Sequence, residues 1–210
     1  MPLIVRLVFY YDVVCPFAYL ASTHVEALAA RTGADLVWTP ILLGGVFRAI
    51  GAPDLPAATL PAAKVAHNFR DMQRWAAHLG VALRLPAEHP RRTVEAMRLC
   101  HLVDGADRVR LTRALYRAYF VEGRDVADRQ ALAAICGEQG LDPQLASARI
   151  ADPQPKERLR IATDEAVSDG VFGVPAFVVV DGDRRTLFWG QDRMCLVERS
   201  LGGWAPRGPQ

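Results

Sequence analysis

Residues 4–19 read Ile-Val-Arg-Leu-Val-Phe-Tyr-Tyr-Asp-Val-Val-Cys-Pro-Phe-Ala-Tyr. The first half, Ile4 to Tyr11, is rich in β-branched and aromatic side chains and predicts a buried strand. Asp12 to Pro16 turns the chain. From there Phe17, Leu20, Ala21, Val25, Leu28 and Ala29 recur at helical spacing, which predicts a helix over residues 16–30. Pro16 suits the first helical position, where its missing N–H costs nothing, and Gly33 closes the helix. Residues 35–42 predict a second strand. Strand, helix and strand within this length make a βαβ unit with a right-handed crossover.

Downstream, residues 44–61 hold three glycines and enough proline to forbid a long helix before Pro61. Between Pro61 and about Gly170 no strand is expected. Helices are predicted over residues 62–79, 92–102, 106–120, 127–138, 143–150 and 155–168, interrupted at Gly80, Pro90, Gly105, Gly123, Gly140 and Pro153. Strand character returns over residues 176–180, Asp181-Gly182-Asp183 makes a hairpin turn, and residues 186–189 lead back. A last helix over residues 190–201 precedes a Gly- and Pro-rich tail expected to be loose. The fold class expected is therefore α/β: a thioredoxin-like β-α-β…β-β-α domain from residues 1–55 and 160–210, with a large all-helical insertion over residues 56–159.

Composition narrows the function. Half of the 210 residues are apolar, enough for a substantial core, and the net charge of +2 points to neither nucleic acid nor membrane. The pairs Arg91-Arg92 and Arg184-Arg185 read as solvated surface, with an anion site as the alternative, more open for the first pair. Four cysteines, at 15, 100, 136 and 195, show no C-x-x-C pair and no metal-ligand spacing with histidine. Reduced thiols, a cytoplasmic location and no metal are expected. Residues 3–11 carry one charge, Arg6, are too short to span a bilayer and lead to no cleavage site, so no export signal is expected.

Three places carry chemistry. Cys15 stands where a strand ends and a helix begins, and free N–H groups there favour a thiolate, below the free-thiol pKa of about 8.5. The plainer reading is a small buried apolar side chain. Cys15 is expected to alkylate fastest of the four thiols. At Gly173-Val174-Pro175 a proline opens a strand. A cis bond there would present the Val174 N–H and C=O to an extended peptide as a short added strand, whereas the plainer reading is a strand-edge proline. At Trp189-Gly190-Gln191-Asp192-Arg193 another helix begins. Asp192 either caps it or, with Gln191, takes a charged ligand group.

These motifs, taken in order, resemble the glutathione-dependent 2-hydroxychromene-2-carboxylate isomerases, relatives of kappa-class glutathione transferases and DsbA-like proteins. The resemblance rests on Phe9-Tyr10-Tyr11-Asp12 with Cys15-Pro16-Phe17-Ala18-Tyr19-Leu20-Ala21, on residues 43–51, on Asp71-Met72-Gln73-Arg74-Trp75-Ala76, on Phe172-Gly173-Val174-Pro175 and on residues 189–193. It implies glutathione as cofactor and a homodimer. The isomerases usually carry a serine, which hydrogen-bonds the glutathione sulfur, where this chain has Cys15. The wider group often has an asparagine where this chain has Ala52. Ala18 stands where a dithiol oxidoreductase keeps its second cysteine, which weighs against self-contained disulfide exchange.

The leading expectation is a cis–trans isomerase of an aromatic-degradation intermediate. Cys15 serves the sulfur, Val174, Pro175, Gln191 and Asp192 hold glutathione, and Phe17, Arg48, Lys64 and Arg74 face the aromatic carboxylate substrate. Lys64 and His67, a helical turn apart, read equally as a wet helix face. The alternatives are a thiol-disulfide oxidoreductase or a kappa-like transferase using Cys15, and a glutathione-binding subunit without turnover.

Overall fold

The computed structural model describes residues 5–205, so the expected strand start at Ile4 and the last part of the tail lie outside the described residues. Strand β1 (Arg6–Tyr11) leads into α1 (Pro16–Ser22), α2 (Val25–Thr32) and β2 (Asp35–Pro40). The single helix expected over residues 16–30 is thus two. Ser22 Oγ donates to Tyr19 O at 2.6 Å and Thr23 Oγ1 to Leu20 O at 2.7 Å, and such side-chain bonds compete for the carbonyls that a continuing helix would use. Gly33 ends α2 at φ 68°, as a left-handed cap requires.

Next come α3 (Leu43–Ala49), a 3-10 turn (Pro56–Thr59), α4 (Ala62–Leu79), α5 (Val94–Cys100), α6 (Gly105–Phe120), α7 (Arg129–Glu138), α8 (Pro143–Arg149) and α9 (Pro153–Ser168). The hairpin of β3 (Ala176–Asp181) and β4 (Arg184–Trp189), a 3-10 turn (Gln191–Arg193) and α10 (Met194–Leu201) complete the described order. Pro153, expected to interrupt, instead starts α9, where a proline needs no N–H partner. The join expected between residues 159 and 160 falls inside α9, which runs unbroken and packs on β2, α3 and α5, so a division there would cut a helix.

One four-stranded sheet has the order β2-β1-β3-β4, with β1 parallel to β2 and antiparallel to β3, and β3 antiparallel to β4. The fold is thioredoxin-like and mixed α/β, as the element order implied. Phe9 stacks on Phe177 at 5.3 Å and meets Trp38 edge-on at 5.0 Å, while Tyr11 contacts Trp38 and Tyr116. The Tyr11 hydroxyl lies 2.7 Å from Thr112 Oγ1, both buried, and fastens α6 to the end of β1. On the opposite face Tyr10 donates to Asp169 at 2.8 Å, and Arg185 grips the same carboxylate. The sheet is held from both sides.

A second fastening makes stability depend on pH. His101, only 5% exposed, donates from Nε2 to Pro40 O at 2.9 Å, and Arg158 donates to its carbonyl at 2.7 Å. Burial, helped by the nearby Arg108 and Arg158 charges, pushes its pKa down to about 4. The folded state therefore favours the neutral ring. This contribution is complete above the ordinary histidine pKa of 6.5 and is lost as pH falls toward about 4. It amounts to about 3 kcal/mol at 1.36 per pKa unit. Urea unfolding should show that loss across this window, and His101→Asn should flatten the pH dependence. An unchanged slope in the variant would assign the loss to other groups.

Candidate active site

Asp12, one residue past β1, is 1% exposed. Its Oδ2 accepts from Leu43 N–H at 2.9 Å and its Oδ1 from Val14 N–H at 3.2 Å. The Thr93 hydroxyl and Val13 N–H also bond to it. Its carbonyl takes Cys15 N–H at 3.0 Å and the Tyr116 hydroxyl at 3.3 Å. Burial raises its pKa, and the four donors to the carboxylate oppose that rise. One side chain thus joins the segment bearing Cys15, the start of α3 and the start of α5.

Cys15 is the N-cap of α1 and is 9% exposed. Its thiol donates to Val174 O at 3.1 Å, and the N–H groups of Phe17 and Ala18 bond toward its sulfur. Those two donors favour a thiolate, but burial outweighs them and the Asp12 charge adds to it. The thiol is pushed up to about 12. The expectation of a low-pKa thiolate is therefore corrected: the helix start is present, yet the sulfur is dry. Among the four free cysteines Cys15, Cys100 and Cys136 are buried and Cys195 is exposed.

A cleft of about 800 Å³ opens over this sulfur. Its walls are Val14 to Phe17, the stretch from Leu42 to Arg48, the turn at Leu55 and Pro56, residues His89 to Val94, and Trp189. Apolar groups therefore surround a few charged ones, the cations Arg48, Arg91 and Arg92 and the carboxylate of Asp54. Arg91 is held by Asp125, with Nε at 3.0 Å, and by Glu88, so its charge is engaged within the protein. Arg92 has Glu95 at 3.5 Å, and Arg48 has no carboxylate in ion-pair range among the described residues. No group of three or more His, Cys, Asp or Glu among the described residues is placed to hold a metal. No helix among them is long and apolar enough to cross a membrane.

The structure brings together Cys15, Phe17 and Arg48 of the expected residues, with Val174 joined through the Cys15 bond. The Val174–Pro175 peptide is cis. Gln191 and Asp192 lie in the 3-10 turn after Trp189, and that turn packs on α1. Gln191 is buried, and its Oε1 has no hydrogen-bond partner; Asp192 is paired with Arg193. Lys64 and Arg74 are not in the cleft. Both are exposed on α4, which reaches the body through Met72 and Ala76 packed with Leu20, while its first turns project outward. The sequence reading missed His89, Leu55 and the joining role of Asp12. Arg91-Arg92, read as solvated surface with an anion site as the alternative, both line the cleft, and Arg92 is largely exposed there. The available signal was weak: a lone acid between Tyr11 and Val13, and a His-Pro pair ahead of two arginines.

Residues 6–202 match the DSBA-like thioredoxin domain. The chain is similar to the 2-hydroxychromene-2-carboxylate isomerase of Sphingobium xenophagum, 30% identical over 204 residues that span 92% of this chain and 96% of that one. It is similar to Glutathione S-transferase kappa 1 of Homo sapiens, 26% identical over 205 residues spanning 92% and 89% of the two chains. A solved structure of 2-hydroxychromene-2-carboxylate isomerase superposes with a TM-score of 0.79 at 25% identity, covering 94% of this chain and 95% of that one.

Brief treatment with iodoacetamide at neutral pH should label Cys195 first and Cys15 slowly, because one thiol is open to solvent and the other is buried and protonated. Peptide mass mapping reads the order. Cys15 labelled ahead of Cys195 would mean that its sulfur is open and ionised in solution.

Proposed function

Because this chain belongs to the 2-hydroxychromene-2-carboxylate isomerase family, within the DSBA-like thioredoxin domain, we propose that it is a glutathione-dependent cis–trans isomerase of an aromatic-degradation intermediate carrying a carboxylate. The carrying observation is the cleft itself: a protonated sulfur at Cys15 beside the Val174 backbone, apolar walls, and the cations Arg48 and Arg92.

The residues suit glutathione on grounds of their own. Val174 offers backbone groups just before β3, beside the Cys15 thiol that its carbonyl accepts, Gln191 a buried acceptor lacking a donor, and Phe17 and Ala18 two N–H groups at the sulfur position. When bound, glutathione supplies a thiolate that adds to a conjugated enone and leaves after rotation about the bond made temporarily single. The chain's part is to hold and orient. Cys15, protonated at neutral pH, acts as an S–H donor toward a neighbouring sulfur, as a serine hydroxyl would. Val174 and Pro175 line up an extended peptide, and Gln191 and Asp192 receive its charged γ-glutamyl end. Phe17 packs on the ring of the substrate, and Arg48 and Arg92 take its carboxylate.

A thiol kept protonated, with Ala18 rather than a second cysteine behind it, disfavours disulfide exchange. A kappa-like transferase would use the same sulfur-holding groups, and an electrophile that remains joined to glutathione would identify it. A homodimer and a cytoplasmic location belong to the same proposal.

Two measurements test it. Glutathione-dependent turnover of 2-hydroxychromene-2-carboxylate, followed by absorbance, should persist in Cys15→Ser within about tenfold, since one donor replaces another. Absence of turnover in the unaltered protein would overturn the reading. In calorimetry Asp192→Ala should weaken glutathione about ten- to a hundredfold, the loss of one charged hydrogen bond. Equal affinities would leave Asp192 as a partner of Arg193 alone.

A further inference from the structure

His89 lines the cleft but lies outside every motif discussed above. Its Nδ1 is 3.0 Å from the hydroxyl of Tyr119, a side chain with no solvent exposure. That same hydroxyl accepts the Arg91 N–H at 3.1 Å. Among the described residues it has no other partner. A buried hydroxyl must place its own proton, and the acceptor left to it is His89 Nδ1. Were Nδ1 protonated instead, the Tyr119 proton would point at nothing. The other ring nitrogen, Nε2, makes no hydrogen bond to the described residues and is not among the sealed, unpartnered atoms, so it keeps access to solvent on a residue that lines the cleft.

We propose that Tyr119 fixes His89 as its Nε2–H tautomer, and that this N–H is a catalytic hydrogen-bond donor to the substrate oxygen on which negative charge gathers during isomerisation. The second half rests on the isomerase reading. His89 forms and breaks no covalent bond and passes no proton. It donates a hydrogen bond that strengthens as the carbonyl oxygen becomes enolate-like and relaxes when the carbonyl returns. A fixed neutral donor is suited to this, since it gains most when charge develops. Burial lowers the pKa of His89 and so favours the neutral ring. The groups around it are the Tyr119 and Phe120 rings, the Arg91–Asp125 pair and Glu88.

The test has two arms. Long-range proton–nitrogen NMR of the ligand-free protein, with the His89 signals identified by their loss in His89→Gln, should show a protonated Nε2 and a bare Nδ1. Tyr119→Phe should turn this into a mixture of tautomers. A protonated Nδ1 in the unaltered protein would overturn the proposal. In the isomerisation assay His89→Ala should lower kcat about 10- to 100-fold, the range for one donor at a developing oxyanion. KM and the calorimetric glutathione affinity should stay within about threefold, and His89→Gln, which keeps an N–H, should recover part of the loss. Turnover unchanged in His89→Ala would overturn the catalytic role while leaving the isomerase reading in place. An unaltered protein that binds glutathione without turnover would overturn the isomerase reading and the catalytic role together, and the tautomer would still be decided by NMR.

Discussion

A carboxylate sealed from water is unstable unless donors surround it, and Asp12 has them from three separate parts of the chain. Val13 and Val14 belong to the turn that carries Cys15. Leu43 opens α3, on which Arg48 sits, and Thr93 precedes α5, next to Arg91 and Arg92. Each of these segments forms a wall of the cleft. The cleft is therefore shaped from below by one carboxyl group, and none of the three can leave without removing hydrogen bonds from it. Gly45 serves a different contact of α3: a Cβ there would stand 3.1 Å from the Thr163 methyl group of α9, so its absence lets the two helices pack closely.

The same carboxyl group bears on the sulfur. A helix start, two N–H donors and a nearby negative charge act on Cys15 together, and burial decides the balance in favour of the thiol. A thiol so placed is a poor nucleophile and a usable donor. Cys15 for serine is then a modest change of donor, whereas in an open, cation-lined setting the same replacement would have created a reactive thiolate. The environment of the residue, more than its identity, is what sets the sulfur-holding role proposed for Cys15 apart from disulfide chemistry.

The order of elements was legible because periodicity, proline and glycine report local backbone preference. The α4 helix over residues 62–79 and the hairpin at Gly182, whose φ of 59° suits a two-residue loop, follow from such local signals. The break after Ser22 was not legible, since Phe17 to Ala29 keep an apolar period through it and the interruption lies in two hydroxyls turning back on the helix. The site divided in the same way. Cys15, Phe17 and Arg48 sit on segments whose position follows from the βαβ unit. Lys64 and Arg74 were assigned by charge and, for Arg74, by its place in the motif of residues 71–76, and neither says which turns of a helix are packed. His89 and Asp12 act through partners 30 and 31 residues away, Tyr119 and Leu43, and no spacing in the sequence announces such contacts.

The hardest relation to read was between Cys15 and Val174, 159 residues apart. It is settled by strand register. In the antiparallel pairing of β1 with β3, Tyr10 faces Ala176, so continuing the count sets Val174 opposite Asp12, at the mouth of the loop that carries Cys15. A slip of one residue would turn Phe177 away from Phe9 and move the Val174 carbonyl off the sulfur in the same step. The aromatic stack at 5.3 Å thus does two things: it fills the core and fixes the distance between the two halves of the site. Packing in the sheet and the meeting of Cys15 with Val174 are thus specified by one register, across the helical segments that separate them in the chain.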